Sequence, residues 1–324
     1  MGSVAARWLG RAPGGSQSWL NAMPHPPLAC EIAAGHVAAA RWSRGRRRFE
    51  GYDALLPLPP GVVVPSLSEQ NIAQADSVVQ ILRRVLDRAG IHGPETALLV
   101  PDQVVRVFLL HFGSFPRRAE EAIPMLRWRL KKSVPFDVED TVISFVPQPA
   151  RGTGIEVVTA VGRRRVIREY EEVAEKAGLA PGIVVSSTLA TLPLIEEAGP
   201  VLLARMAGTC LTTAIVRGPL LCVYRCSGLD AEAADLAPQE LLDEIFPMAA
   251  YFQDTWKEPL QQVRLAGLGT RLEEFRMRLE EELRCPVAAL AAAATLEDRL
   301  TGDTRAMVDR QMDSLVGWMM NHGA

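Results

Sequence analysis

The sequence has no run of eighteen apolar residues, so it offers no segment fit to cross a hydrocarbon core of about 30 Å as a helix. It has no Cys-x-x-Cys. Its five cysteines, Cys30, Cys210, Cys222, Cys226 and Cys285, are odd in number and lie mostly in apolar stretches, which points to reduced, buried thiols in a reducing compartment. Cys222 and Cys226, four apart in an extended segment, would face one side of a strand, but no histidine lies near enough to complete a metal site. The five histidines are scattered, and Ser186-Ser187-Thr188 has neither a Gly-x-Ser-x-Gly turn nor a neighbouring histidine, so no hydrolytic triad is indicated. Neither sign of charge is in large excess. The net charge of −3 gives no global reason to expect nucleic acid or an anionic membrane as partner. The basic clusters Arg44 to Arg48 and Arg163 to Arg165 are set against acidic segments and read as solvated strand ends or helix starts.

What is present is a chain of 324 residues, 48% hydrophobic, long enough for two core-bearing lobes. Met1 to Pro27, with Gly14-Gly15-Ser16 and Pro24, Pro26 and Pro27, lacks the apolar core of a signal peptide and reads as a flexible extension. Leu28 to Ala34 and His36 to Trp42 form a hairpin about Gly35, and Val62 to Val64 is expected to extend its sheet. Val78, Val79, Leu82, Val85, Leu86 and Ala89 make one stripe of a helix over Ala75 to Ala89. Ala97 to Pro101 and Val104 to Phe112 read as strands. Val201 to Val216 and Leu220 to Tyr224 read as a second hairpin about Arg217-Gly218-Pro219. Gln239 to Trp256 and Leu272 to Leu283 read as helices, and Thr304 to Met320 as a packed closing helix.

The most informative stretch runs from Leu126 to Asp137. Ile123, Leu126, Leu130 and Val134 form the apolar stripe of a short helix, with Pro124 in its first turn and Val134-Pro135 as its stop. A strand over Thr141 to Val146, a strand over Ile155 to Val161, and a helix over Val166 to Ala177 ending on Gly178 follow. This order, with Leu126, Trp128, Val134, Pro135 and Phe136 and then Ala177-Gly178-Leu179, resembles the small inserted subdomain of the PilM family of type IV pilus assembly proteins.

The resemblance implies an α/β, actin-like (sugar kinase/Hsp70/actin) two-lobed fold. Its expected parts are an extension over 1–27, a first lobe over 28–101, an inserted subdomain over 102–182, a return to the first lobe over 183–198 and a second lobe over 199–324. It also implies a nucleotide cleft, whose chemistry needs a carboxylate to hold water on a metal, a glycine for backbone approach to phosphate and a lysine to neutralise it. On that pattern Glu31 stands for the aspartate, Ala33 for the glycine and Ala38 for the lysine, while Ala34, Gly35 and His36 replace hydroxyls. In the second hairpin Arg205 stands for the aspartate and Ala207 for the glycine, and an arginine there would put a fixed positive charge in the metal's space. Gly267 and Gly269 match the adenosine loop, with Leu268 for its middle glycine. Between Cys226 and Leu241 only a short linker stands where the family places a helical subdomain over the adenine, giving a reduced second lobe.

These departures imply a non-catalytic scaffold with no cofactor, ATP and magnesium included. The alternative is an actin-like ATP-binding protein or weak ATPase with relaxed motifs. The partner implied by the resemblance is the cytoplasmic N-terminal tail of a PilN-like inner-membrane protein, with pilus motor ATPases and other platform proteins as further partners. That places the chain in the cytoplasm, peripheral to the inner membrane through a partner and without insertion of its own. The groove expected to receive the tail would use Trp128, Val134, Pro135 and Phe136 as anchors and Arg127, Arg129 and Lys131 as donors at its rim, unless Trp128 and Phe136 fill the subdomain core. The cytoplasmic domains of type II secretion GspL proteins and the division protein FtsA share the implied fold and define related machines.

Overall fold

A computed structural model describes residues 26–43, 48–292 and 302–320. The expected extension and the Arg44 to Arg48 cluster lie largely outside them. The chain divides into two compact units, with the change at Ser187/Thr188.

In the first unit β1 (Leu28–Ile32) pairs antiparallel with β2 (His36–Ser43), and β2 with β3 (Arg48–Pro57). On the other side β1 pairs in parallel with β4 (Glu95–Val100), and β4 with β8 (Ala180–Ser186), giving the order β3-β2-β1-β4-β8. All five residues of β1 are buried, because strands covered on both faces lose the polar-apolar alternation. Helices α1 (Ala75–Arg88) and α3 (Arg164–Lys176) press Val78, Leu82, Val85, Val166, Tyr170 and Val173 against Cys30, Ile32, Leu98 and Val100. The sheet's fifth strand is β3 rather than the expected Val62 to Val64, which makes only an isolated bridge from Val63 to Ile72.

Between β4 and α3 lies a three-stranded sheet, β5-β7-β6, from β5 (Val105–Phe112), β6 (Thr141–Pro149) and β7 (Ile155–Arg163). Helix α2 (Ala119–Leu130) covers one face, burying Leu126 and Leu130 with Val134, Val138, Ile143, Val157 and Val161. Two local expectations shift here. Pro124 is the sixth residue of α2 rather than a first-turn residue, and the helix gives out at Leu130, four residues before the Val134-Pro135 stop. The acidic first turn, Glu120 and Glu121, marks the earlier start.

The second unit begins with the end of the short helix α4 (Ser187–Thr191) and repeats the sheet order. It runs β11-β10-β9-β12-β13, from β9 (Pro200–Ala207), β10 (Cys210–Arg217), β11 (Leu220–Gly228), β12 (Gln262–Ala266) and β13 (Val287–Ala289). Here β9, β10 and β11 are antiparallel, while β12 and β13 run parallel to β9. The expected long strand Val201 to Val216 is two strands, split by a turn at Gly208-Thr209 with Gly208 at φ +59°. A two-residue hairpin turn of this hand needs a left-handed first residue, which Gly208 supplies without any flanking proline or asparagine to mark the turn. Helices α5 (Pro238–Trp256) and α6 (Leu272–Leu283) close one face with Leu241, Ile245, Phe252, Phe275 and Leu279.

The segment expected to return to the first lobe, 183–198, is divided: β8 belongs to the first sheet, whereas residues from Thr188 belong to the second unit. The closing segment comprises α7 (Gly302–Met307), a wider turn over Val308–Met312, and α8 (Asp313–Met320). Met307, Met312, Leu315, Trp318 and Met319 are buried, as a packed end helix requires. Among the described residues no helix is long and apolar enough to cross a membrane.

Candidate functional site

Three places carry the residues singled out from the sequence. The first is the β1–β2 hairpin. Glu31 is 1% exposed, accepts a hydrogen bond from Ser187 Oγ at 2.6 Å and lies 3.6 Å from His36 Nε2. Ser187 Oγ is also 3.1 Å from the carbonyl of Val100, so the carboxylate is tied to the β8–α4 junction inside its own unit. Ala38 is fully buried in β2, paired with Glu31 in register. Its methyl group packs where the resemblance puts a lysine. Ala33 and Gly35 form the turn, closed by the Ala33 amide donating to the His36 carbonyl at 2.9 Å.

The second place is in the other unit. Arg205 projects from β9, 4% exposed, and its Nε donates to Asp313 Oδ2 at 2.6 Å while Nη2 lies 3.4 Å from Oδ1. Thr191 Oγ1 donates to the same Oδ2 at 2.8 Å. Asp313 opens α8 and is itself 2% exposed. The fixed positive charge anticipated at Arg205 therefore meets a buried carboxylate 108 residues further on, a partner that no local pattern reveals. Ala207 ends β9 beside the Gly208 turn. Gly267 has φ +79°, and a Cβ there would come 2.0 Å from the Met206 carbonyl oxygen. The loop after β12 thus needs a glycine to pass β9, ligand or not. Gly269 has φ +55° but open space around it.

The third place is α2 and the chain after it. Here the structure separates residues that the sequence reading grouped. Val134 is 9% exposed within the core of the small sheet, and Phe136 packs against that core beneath the Arg163 guanidinium, 5.6 Å above its ring. Val134 is therefore part of the core rather than a surface anchor, while Phe136 is partly buried against it. Arg127 is held by Glu139 at 3.1 Å. Trp128, by contrast, is 78% exposed. Arg129, Lys131, Lys132 and Pro135 are exposed as well. The indole stands two residues past Leu126, about 200° round the helix from the buried stripe, and that offset is visible in the sequence. Lys131 and Lys132 follow directly on the end of α2, in the turn after Leu130.

Sequence reasoning missed a fourth feature, the clasp that seats residues 66–72 on α3. Asn71, 1% exposed, accepts hydrogen bonds at Oδ1 from Tyr170 Oη at 3.0 Å and from the Ser66 amide at 2.9 Å. Glu169 accepts from the amides of Asn71 and Ile72 at 2.8 and 3.0 Å. Arg163 and Arg165 both donate to the Ser68 carbonyl, Arg163 also reaches Asp140 at 3.3 Å, and Arg164 reaches the Thr141 carbonyl at 3.0 Å. This basic cluster is structural. Burial pushes the Tyr170 phenol's pKa up, with a smaller push from Glu169, so the phenol stays a neutral donor. Tyr170→Phe is expected to cost about 1 kcal/mol in urea unfolding, the net worth of such a bond.

No metal-ligand group of three or more His, Cys, Asp or Glu occurs among the described residues. The repeated sheet order, three antiparallel strands followed by two parallel ones in each unit, defines the actin-like fold. A solved structure with that architecture, the PilM–PilN type IV pilus biogenesis complex, contains a chain that matches this one with a TM-score of 0.70 at 18% identity, over 92% of this chain and 99% of that one. The cytoplasmic domain of EpsL, an inner-membrane component of the type II secretion system of Vibrio cholerae, matches with a TM-score of 0.47 at 12% identity, over 89% and 94% of the two chains. A Bacteroides thetaiotaomicron protein with an actin-like ATPase fold matches with a TM-score of 0.47 at 8% identity, over 84% and 93%. No protein-family model and no curated protein matches the sequence.

Proposed function

We propose that this chain is a non-catalytic scaffold of a type IV pilus or related secretion machine, and that it docks the cytoplasmic N-terminal tail of a PilN-like inner-membrane protein. The observation that carries the reading is Trp128. An indole that is 78% exposed contributes little to its own core, and flanking cations make its surroundings suited to a peptide with apolar and acidic residues. The PilM–PilN complex supports the choice of partner through likeness of fold. The docking residues are Trp128, Arg129, Lys131 and Pro135, with Arg127 positioned by Glu139. Held through that partner, the chain works on the cytoplasmic side of the inner membrane.

The nucleotide elements support the non-catalytic half of the reading. Ala38 replaces a cation, and Arg205 carries charge of the wrong sign for a metal carboxylate. No nucleotide is part of the proposed cycle.

Calorimetric titration with a synthetic peptide copying the tail of a PilN-like protein, and separately with magnesium ATP, tests both halves. Peptide binding is expected, and Trp128→Ala should weaken it roughly 10- to 30-fold, the range of an aromatic hot spot, with the melting temperature unchanged. Arg129→Glu should weaken it further as ionic strength falls. Peptide affinity indifferent to Trp128 would remove the docking face, and micromolar binding of magnesium ATP would return the chain to the nucleotide-binding alternative.

A further inference from the structure

Two cysteines in the second unit are neighbours in space although sixteen residues separate them. Cys210 opens β10 and Cys226 lies near the end of β11, and their sulfurs are 3.2 Å apart. Cys210 is paired in register with Gly228 and Cys226 with Thr212. Because Gly228 presents no side chain opposite it, Cys210 leans diagonally towards Cys226. Spacing alone puts Cys222 and Cys226 on the same side of a strand. A register shift between Ile215 and Val216 breaks the two-residue period, so that Cys222 packs into the core under α5 and α6 while Cys226 meets Cys210.

We propose that Cys210 and Cys226 form a dithiol that closes to an intramolecular disulfide when the protein meets a low-molecular-weight disulfide such as oxidised glutathione. Cys226 is half-buried and Cys210 is 1% exposed, which sets the order of events. The Cys226 thiolate attacks one sulfur of the oxidant and expels a first glutathione thiolate. The Cys210 thiolate then attacks the Cys226 sulfur, expels the second, and leaves the two sulfurs bonded at about 2.05 Å. Two protein thiols are oxidised and one glutathione disulfide is reduced to two thiols, which take up the two protons. A metal bridge is a poorer use of the pair, because structural zinc needs about four ligands and no third donor group gathers here among the described residues. Burial selects the first nucleophile and proximity the second: Cys226 alone of the five cysteines is not buried, Cys210 lies against it, the Cys30 thiol is pushed up to about 12, and Cys285 is raised by burial and by Glu280. The bond would staple β10 to β11 beside the Gly208 turn, where the Leu229 amide already donates to the Thr209 carbonyl at 2.7 Å.

The test is to incubate the full chain with oxidised glutathione, trap remaining thiols with iodoacetamide after denaturation, and map peptides by mass. The expected product lacks two hydrogens, links the peptides of Cys210 and Cys226, and carries alkyl groups on Cys30, Cys222 and Cys285. Cys210→Ser should stop the reaction at a glutathione held on Cys226, and Cys226→Ser should leave Cys210 alkylatable. A wild-type product with glutathione retained on Cys226, a link from Cys226 to any other cysteine, or two unreacted thiols at 210 and 226 would overturn the proposal.

Discussion

Asp313→Ala is expected to destabilise the second unit by about 3–5 kcal/mol, the usual cost of removing one partner of a buried ion pair and leaving the other charged in a medium that hydrates it poorly. Arg205 and Asp313 are 4% and 3% exposed in their side chains, so solvent offers little compensation. Hydrogen exchange of the β9 and α8 amides in rising urea reads the loss where it arises. A double change, Arg205→Met with Asp313→Leu, should recover most of it, since the pair's own net contribution is small once desolvation is counted. Equal loss in single and double variants would show that packing around α8, rather than the uncompensated charge, sets the cost.

Gly267→Ala carries the second large effect. A methyl group there would sit 2.0 Å from the Met206 carbonyl oxygen on a backbone at φ +79°. Left-handed strain of roughly 1–2 kcal/mol adds to an overpacking cost of about 1–3 kcal/mol. Gly269→Ala, with φ +55° and open space, should lose only the strain. Urea midpoints of the two variants therefore separate a glycine required by its neighbours from one required by its own dihedral. Near-equal losses would mean that the loop shifts away from β9 freely.

Elements with a sustained period were legible in the sequence: the stripes of α1 and α3, the Gly35 turn, and the helix that precedes β12. Misreadings arose where a tertiary or single-residue feature overrode the period. Gly208 turns the chain after β9 inside what reads as one long strand, and the shift at Ile215 and Val216 turns Cys222 to the opposite face from the one its spacing implies. From the sequence Trp128 and Phe136 read alike, as aromatic anchors or as core. Their positions relative to Leu126 and Leu130 part them, with one aromatic out in solvent and the other beneath Arg163. The candidate site is legible only as a set of substitutions. That Ala38 lacks a charge can be read from the sequence, but that Arg205 is matched by Asp313 and Glu31 by Ser187 depends on chain segments 108 and 156 residues away.

The small three-stranded sheet leaves and rejoins the first unit through adjacent strands, since Val105 at its entry is paired with Gly162 at its exit. Entry and exit backbones are therefore about 5 Å apart, a gap that a tight turn spans. Topologically the module is a closed loop on a two-stranded stem, so joining the stem strands by such a turn is expected to leave the register of β4 with β8 in place.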